Sequence, residues 1–226
     1  MAIELDIQKN FKGFSLDVRL KGQDGPIGIL GASGSGKSMT LRSIAGIETP
    51  DSGRIIINGK TVFDSEAKIN LKPQERRVGY LFQNYALFPT MTVEKNIACG
   101  YRGEKSELSQ KVADYIKRYH LEGLEKHLPS QLSGGQQQRT SIGRAIIKNP
   151  SILLCDEPTG ALDYHTSKEI LKLIEDVNQK YGNTVIMVTH NDAIKNMADR
   201  VIRLRDGQIR KNYVNETKIA AGDLDW

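Results

Sequence analysis

The feature that most limits what this chain can fold into is a glycine-rich segment at residues 31–38, which we name the phosphate loop. Its sequence, GASGSGKS, fits the pattern G-x-x-x-x-G-K-[ST], in which backbone amides and a lysine surround phosphate groups at the start of a helix. An apolar run at 26–30 precedes it and a helical pattern at 39–45 follows it. This order of strand, loop and helix favours a nucleoside triphosphate site over a simple Gly/Ser-rich turn.

The phosphate loop supplies a chemical group for each part of a triphosphate. Its glycines adopt backbone conformations that are rare for other residues, so successive N–H groups can turn toward phosphate oxygens. Lys37 adds a positive charge for the outer phosphates, and the hydroxyl of Ser38 is the expected ligand of their Mg²⁺. The residues expected to contact the nucleotide here are Gly31, Ala32, Ser33, Gly34, Ser35, Gly36, Lys37 and Ser38.

Length and composition narrow the functional classes. The chain has 226 residues, enough for one large α/β domain or a core domain with a helical insert. No stretch approaches the roughly 18–20 apolar residues that cross a bilayer, and no signal-peptide pattern is visible, so we expect a soluble, cytoplasmic chain. The net charge is +5, but basic and acidic residues are interleaved, which favours a mixed surface and no nucleic-acid partner. Cys99 and Cys155 lack paired metal or redox spacing and are interpreted as reduced packing residues.

The hydropathy pattern predicts an α/β fold with a mostly parallel central sheet. Alternating residues at 2–8 and 14–20, with a hairpin at 53–63, predict an antiparallel β lobe near the N-terminus. A polar helical pattern at 93–127 predicts a helical insert, and strands and helices then alternate, which is typical of a parallel sheet covered by helices. The other strands and helices are predicted at 78–82, 134–148, 152–155, 166–180 and 184–188, followed by a short helix. A last hairpin at 200–212 precedes a polar tail for which we predict no structure.

Two carboxylates, Asp156 and Glu157, follow the apolar strand at 152–155, and we name them the acidic pair. Open α/β sheets bind ligands beyond the carboxyl ends of their strands, which favours catalysis here over a polar strand end or a helix cap. We expect Asp156 to hold Mg²⁺ through a water molecule. We expect Glu157 to orient and polarise the water that attacks the γ-phosphate.

Two other strands also end in polar residues. His190 follows the strand at 184–188, one strand–helix interval after the acidic pair, so we expect it to contact the γ-phosphate; taken alone, it would be an ordinary surface or capping residue. Gln83 ends the strand at 78–82, and its amide could reach the metal or the attacking water. The predicted catalytic residues are Glu157, His190, Gln83 and Lys37, and the predicted metal ligands are Ser38, Gln83 and Asp156.

A second surface for phosphate contact is predicted at residues 132–136, LSGGQ, which we name the serine-glycine segment. Ser133 is a suitable helix N-cap, and Gly134 and Gly135 expose backbone N–H groups at the positive end of a helix. One triphosphate does not need two such surfaces, so the simplest account is a dimer in which this segment covers the nucleotide of the partner. The residues assigned to this contact are Ser133, Gly134, Gly135 and Gln136.

These motifs resemble those of the ABC (ATP-binding cassette) transporter ATPases over nearly the whole chain. The phosphate loop, glutamine loop, signature, acidic strand, aspartate loop and switch histidine of that family match residues 31–38, Gln83, 132–136, 152–157, 161–163 and His190. The resemblance implies a P-loop NTPase fold of ABC type, with helices on both sides of the sheet and a helical subdomain. It also implies ATP and Mg²⁺ as cofactors, a head-to-tail homodimer, and transmembrane permease subunits that hold the chain at the inner face of the cell membrane.

Three more nucleotide contacts are implied by the resemblance alone. Phe11 is the best match to an aromatic residue that stacks on adenine, with Phe14 close behind. Met39 stands where the family usually has a threonine against the inner phosphate, and Asp163 lies in the aspartate loop. The implied organisation is one ABC ATPase domain over 1–226, comprising the β lobe and first part of the core (1–90), the helical subdomain (91–148), and the rest of the core with the tail (149–226).

The two halves of the chain resemble different branches of the family. Residues 71–83 and 85–93 resemble ATPases of importers for molybdate and related oxyanions. Residues 156–163, 188–191 and 198–204 instead resemble those of lipoprotein and macrolide exporters. We interpret this as a mosaic joined between residues 90 and 153, or as an atypical short importer subunit.

The leading functional hypothesis is an ATP-hydrolysing subunit that powers a membrane transporter through ATP-driven closure of its dimer. A soluble ABC ATPase that acts on nucleic acid or ribosomes usually carries two cassettes or long coiled-coil inserts, and neither fits this sequence. The alternative is an engineered or mosaic cassette that binds ATP with weak or no turnover and has no native partner. Intact Glu157 and His190 argue against that alternative.

Overall fold

The structure is a computed structural model that describes residues 2–22 and 25–225. Its strands are β1 (Ile3–Phe11), β2 (Phe14–Gly22), β3 (Ile27–Leu30), β4 (Ser52–Ile57), β5 (Lys60–Asp64), β6 (Ile69–Asn70), β7 (Val78–Leu81), β8 (Ile152–Asp156), β9 (Thr184–Thr189), β10 (Arg200–Arg205) and β11 (Gln208–Val214). Its α-helices are α1 (Lys37–Ala45), α2 (Val93–Ala98), α3 (Leu108–Arg118), α4 (Gly134–Ile146) and α5 (Tyr164–Tyr181).

The strands form one sheet in the order β6-β5-β4-β1-β2-β11-β10-β3-β9-β8-β7. The run from β10 to β7 is parallel, whereas β1, β2, β4, β5 and β6 pair antiparallel with one another. A single pairing, Asp17 with Gln208, joins β2 to β11. The predicted β lobe and the predicted parallel sheet are therefore two parts of one continuous sheet.

Burial explains why the two parts differ in sequence. Every residue of β3, β8 and β9 is buried, because helices cover both faces of the parallel part. Along β8, Ile152 and Leu154 pack in a core with α1 and the β lobe, whereas Leu153 and Cys155 pack in a core with the other four helices. In β1 and β2 buried and more exposed residues largely alternate, as in a sheet with one covered face.

Several predicted elements are corrected by the structure. The helical pattern at 93–127 forms two separate helices, α2 and α3, joined and followed by irregular backbone. The short strand β6 was not predicted, and the short helix after β9 is a 3₁₀ helix over Asp192–Met197. The C-terminal tail is ordered at Ala221–Asp223, where Ala221 and Leu224 are buried against the same core as α5.

The two cysteines lie in different surroundings. Cys155 is fully buried in β8, as predicted for a packing residue, but Cys99 at the end of α2 is exposed, so the packing interpretation of Cys99 is wrong. Both are free thiols. In the described ranges, the helices all fall short of the length and apolar character that a membrane span requires.

Candidate active site

The phosphate loop connects β3 to α1 at the carboxyl edge of the parallel strands. Gly36 caps α1 with a φ of 99°, a left-handed conformation that favours glycine. A Cβ atom at Gly36 would lie 2.6 Å from Leu16 Cδ1, so a side chain here would clash. Glycine is therefore required at this position both by the backbone turn and by the close approach of β2.

Lys37 is held beneath its own loop. Its Nζ donates to the carbonyl oxygens of Gly31 (2.8 Å) and Ala32 (3.0 Å), and the residue is 5% exposed. An ammonium group removed from water needs polar partners, and these carbonyls supply them. The charge is thus fixed at the loop, where phosphate oxygens could take over as partners.

The first member of the acidic pair contacts two other elements. Asp156 ends β8, and its Oδ1 accepts a hydrogen bond from Ser38 Oγ at 2.7 Å. Its Oδ2 accepts one from the Tyr80 hydroxyl, on β7, at 2.9 Å. Asp156 as a whole is 4% exposed, so these donors replace the water that burial removes.

Ser38 and Asp156 fit the requirements of a magnesium ion, since they place a hydroxyl and a carboxylate oxygen side by side. In residues 2–22 and 25–225, no group of three or more His, Cys, Asp or Glu side chains is arranged to hold a metal. Mg²⁺ commonly uses one or two protein ligands together with substrate phosphates and water. The hydroxyl of Ser38 and the carboxylate of Asp156, beside the phosphate loop, match this mode of coordination.

Glu157 occupies a constrained turn after β8. Its φ is 48°, in the left-handed region, which costs on the order of 1–3 kcal/mol for a residue with a side chain. Its N–H donates to the carbonyl oxygen of Val188, on the adjacent strand β9, at 2.9 Å. This cross-strand bond helps to hold the turn.

The side chain of Glu157 meets two predicted catalytic residues. Its Oε2 lies 3.1 Å from His190 Nδ1 and accepts a hydrogen bond from Gln83 Nε2 at 3.4 Å. The strands β7, β8 and β9 are neighbours, so their carboxyl ends bring these three residues together as the order of strands predicts. The His190 side chain is 66% exposed, and a cavity of about 280 Å³ adjoins it and Glu157.

Comparison with known proteins identifies the family that carries this arrangement. A family model described as "ABC transporter" matches residues 12–160, a range that includes the phosphate loop, Gln83, the serine-glycine segment and the acidic pair. The chain belongs to the ABC transporter family. We refer to it below as the cassette.

The cassette is similar to both curated proteins and solved structures of this family. It is 43% identical over 198 residues to the ABC transporter ATP-binding protein YtrE of Bacillus subtilis, covering 86% of each chain. It is 36% identical over 209 residues to the molybdenum import ATP-binding protein ModC of Paramagnetospirillum magneticum, covering 92% of the cassette and 58% of ModC. The cassette spans only about half of the length of several other curated relatives, for example 48% of a spermidine/putrescine import ATP-binding protein.

Among solved structures, the cassette is similar to the ATP-binding cassette MJ0796 in a dimeric, post-hydrolysis state bound to ADP and Pi. The TM-score is 0.80 at 31% identity, and the match covers 95% of the cassette and 98% of that chain. These findings confirm the predicted α/β P-loop fold of ABC type and the ATPase class. They also confirm ATP with Mg²⁺ as the ligands that the family binds.

The serine-glycine segment is satisfied locally and faces outward. Ser133 Oγ accepts from the Gln136 N–H at 3.3 Å, and Gln136 Oε1 accepts from the Ser133 N–H at 2.8 Å, forming a capping box at the start of α4. Gly135 packs closely on α5, since a Cβ there would lie 2.7 Å from Thr166 Cγ2. In the described part of the cassette, no hydrogen bond joins this segment to residues 31–39.

The helix that follows this segment contacts two loops of the active site. Gln138, fully buried on α4, donates to the carbonyl oxygen of Pro158 at 2.9 Å, directly after the acidic pair. Arg144 donates to the carbonyl oxygens of Ala86 (2.7 Å) and Tyr85 (3.0 Å), just after Gln83. A shift of α4 would therefore be transmitted to both loops.

Three residues expected to contact the nucleotide have other contacts here. Phe11 pairs with Phe14 across the β1–β2 hairpin, with ring centroids 6.2 Å apart, and the ring of Phe14 is the one that reaches Gly36. Met39 lies on α1 and packs against the core that α1 forms with the β lobe. Asp163 caps α5 by accepting from the N–H (2.9 Å) and hydroxyl (2.7 Å) of Thr166, and these bonds lower its pKa. Contacts of these residues with a nucleotide remain predictions.

Tyr80 is the site residue that sequence reasoning missed. In the sequence Tyr80 is only part of the predicted strand at 78–82. Nothing in the local pattern shows which other strand will lie beside that strand in the sheet. In the sheet, Tyr80 pairs with Leu154 on β8, two residues before Asp156. Residues two apart share a face of the sheet, so this register alone brings the hydroxyl to the carboxylate.

Proposed function

We propose that the cassette is the ATP-hydrolysing subunit of a membrane transporter and that it powers transport through ATP-driven closure of a dimer. The observation that carries the proposal is the meeting of Glu157 with His190 and Gln83 beside the contact between Ser38 and Asp156. A phosphate loop, a metal pair and a candidate base thus share one sheet edge. Phosphoryl transfer to water requires these three parts.

Each residue of the site has a proposed role. The backbone amides of residues 31–38 and the ammonium of Lys37 would bind the phosphates, and Ser38, Asp156 and Gln83 would hold Mg²⁺. When bound, Mg²⁺ neutralises charge that develops on the phosphate oxygens. Glu157 accepts a proton from the attacking water, and His190, whose ring lies against Glu157, contacts the γ-phosphate and fixes the orientation of the carboxylate.

We also propose a head-to-tail dimer in which the serine-glycine segment of each copy covers the nucleotide of the other. Ser133 is exposed at the start of α4, and within the described residues this segment has no hydrogen bond to the phosphate loop of its own chain. The anion-binding surface is therefore free for a second copy. Gly134, Gln136 and Asp163 would join that interface.

The partner and location follow from the same proposal. Permease subunits would hold the cassette on the cytoplasmic face of the membrane, and the names of several relatives describe import ATP-binding proteins. The helical subdomain at 91–148 would contact the permease subunits. It shares one hydrophobic core with β7, β8 and α5, which supports a single domain with the divisions 1–90, 91–148 and 149–226.

The mosaic origin is a separate proposal about ancestry. Residues 71–83 and 85–93 resemble one branch of the family, and residues 188–191 and 198–204 resemble another. A junction between residues 90 and 153 would account for this difference. Comparison of the two halves separately with sequenced relatives tests this. Matches from a single subfamily along both halves would rule out the junction.

The main test is Mg²⁺-dependent release of phosphate from ATP by the purified cassette, with EDTA as the metal-free control. Light scattering with ATP, on a chain carrying Glu157→Gln, reports the dimer. We expect phosphate release only with Mg²⁺, and a doubled mass only with ATP. If phosphate release does not depend on Mg²⁺, or is absent, the proposed hydrolysis is contradicted. A mass of one chain at saturating ATP would contradict the proposed dimer.

A further inference from the structure

The hydroxyl of Tyr80 occupies a position that the proposed function does not yet use. It donates to Asp156 Oδ2 at 2.9 Å, while Ser38 donates to Oδ1 of the same carboxylate at 2.7 Å. A carboxylate with a donor on each oxygen cannot rotate freely without breaking one bond. The two donors come from different elements, one from β7 and one from α1.

The surroundings of Tyr80 make this contact persistent. Its ring packs against the core beside α1 and against Phe82, with ring centroids 4.3 Å apart, so the side chain has little freedom to turn away. Its hydroxyl is therefore held where it donates to the Asp156 carboxylate.

We propose that Tyr80 is a positioning residue for magnesium: it fixes the plane of the Asp156 carboxylate so that Oδ1 stays turned toward Ser38. This inference rests on the proposed function, because it assigns a metal role to Ser38 and Asp156. Tyr80 itself does not touch the metal. Loss of its hydroxyl would leave Oδ2 without that donor and let the carboxylate turn from the metal position.

The test measures how strongly Mg²⁺ improves nucleotide binding. Calorimetry gives the dissociation constant of ADP with excess Mg²⁺ and with EDTA, and ADP is chosen because it is not consumed. For Tyr80→Phe, which keeps the ring, we expect the improvement by Mg²⁺ to fall about three- to tenfold, the effect of one typical hydrogen bond. Affinity for metal-free ADP should not change.

A matched control is Tyr119→Phe. Tyr119 is fully buried, and its hydroxyl has no hydrogen-bond partner among the described residues, so its removal should leave the Mg²⁺ effect at the wild-type value. A second comparison adds Tyr80→Phe to Asp156→Asn. If Tyr80 acts through Asp156, the double variant should show the same Mg²⁺ effect as Asp156→Asn alone, whatever the effect of Tyr80→Phe on thermal stability.

The outcomes separate the two proposals. An unchanged Mg²⁺ effect in Tyr80→Phe, or an equal loss of metal-free ADP affinity, would overturn the positioning role while leaving the proposed function intact. A further loss in the double variant would show that Tyr80 does not act through Asp156 and would overturn the role as well. If the wild-type cassette binds no ADP, the proposed function fails, and the role of Tyr80 fails with it.

Discussion

Two surfaces of the cassette are built in different ways. The catalytic edge, which consists of the phosphate loop, the acidic pair and His190, is joined by side-chain contacts between distant parts of the chain, such as Ser38 with Asp156 and Glu157 with His190. In the serine-glycine segment, two hydrogen bonds instead join Ser133 and Gln136, which are three residues apart. One surface is assembled by the fold, and the other is a helix start whose cap is formed locally, with Ser133 exposed. This is the arrangement expected of a site completed by a second copy.

The largest expected effect tests the catalytic edge. Replacing Glu157 with Gln removes the proton acceptor but keeps the shape of the side chain, so steady-state phosphate release should fall about 10²- to 10⁴-fold. ATP binding should persist and the dimer should accumulate. The control is Glu66→Gln, an exposed residue of the β lobe that should keep wild-type turnover. Turnover within twofold of wild type in Glu157→Gln would remove Glu157 from its role.

The next prediction concerns binding at the same edge. Lys37→Ala removes a buried charge that is held by two loop carbonyls, so MgATP affinity should fall about ten- to hundredfold, the value of a charged hydrogen bond or two. Calorimetry measures the change. Lys60→Ala, on the exposed side of β5, is the matched control. Wild-type affinity in Lys37→Ala would contradict the phosphate-loop assignment.

A smaller effect is expected at the serine-glycine segment. Ser133→Ala removes an N-cap, which should cost about 1 kcal/mol in the free energy of unfolding and reduce hydrolysis without changing ATP affinity of the single chain. Thr92→Ala removes the corresponding cap of α2 and should cost a similar amount with hydrolysis unchanged. Denaturant titration and phosphate release measure the two quantities. Equal loss of hydrolysis in both variants would mean that Ser133 acts only through stability.

The smallest expected effect is a difference in reactivity between the two cysteines, one of which lies in β8 behind the catalytic edge. Cys155 is fully buried next to Asp156, and burial raises its thiol pKa, whereas Cys99 is exposed in the helical subdomain. We expect a thiol reagent to modify one cysteine in the folded cassette and two after unfolding. Partial desolvation of the sulfur raises the pKa of Cys99 although the residue as a whole is exposed, so less thiolate is present at a given pH and the rate should rise with pH through the alkaline range. Cys99→Ser should abolish the fast reaction, and a fast reaction that survives it would show that β8 opens.

Much of the fold and site is predictable because the decisive signals are local. The phosphate loop, the acidic pair and His190 each follow an apolar strand, and a parallel sheet brings such strand ends to one edge. The β1–β2 hairpin and the Asn58-Gly59 turn are likewise visible in short windows. Local backbone preference and strand alternation are enough for these features.

Other features depend on which distant segments meet. The exposure of Cys99 depends on how α2 packs in the helical subdomain, and the burial of Leu224 depends on a groove formed partly by α5. The position of the Phe14 ring beside Gly36 depends on how the β1–β2 hairpin packs against the phosphate loop. None of these is encoded in a short stretch of residue types.

By itself, the sequence determined which chemical groups the cassette carries and that they stand at strand ends and helix starts, because periodicity and glycine requirements act within a few residues. Only the tertiary structure decided that β7 lies beside β8 in the register that sets Tyr80 against Asp156, and that Leu224 is buried in the same core as α5. Pairing and packing between distant segments arise from the burial of whole surfaces. Only the folded chain brings those surfaces together.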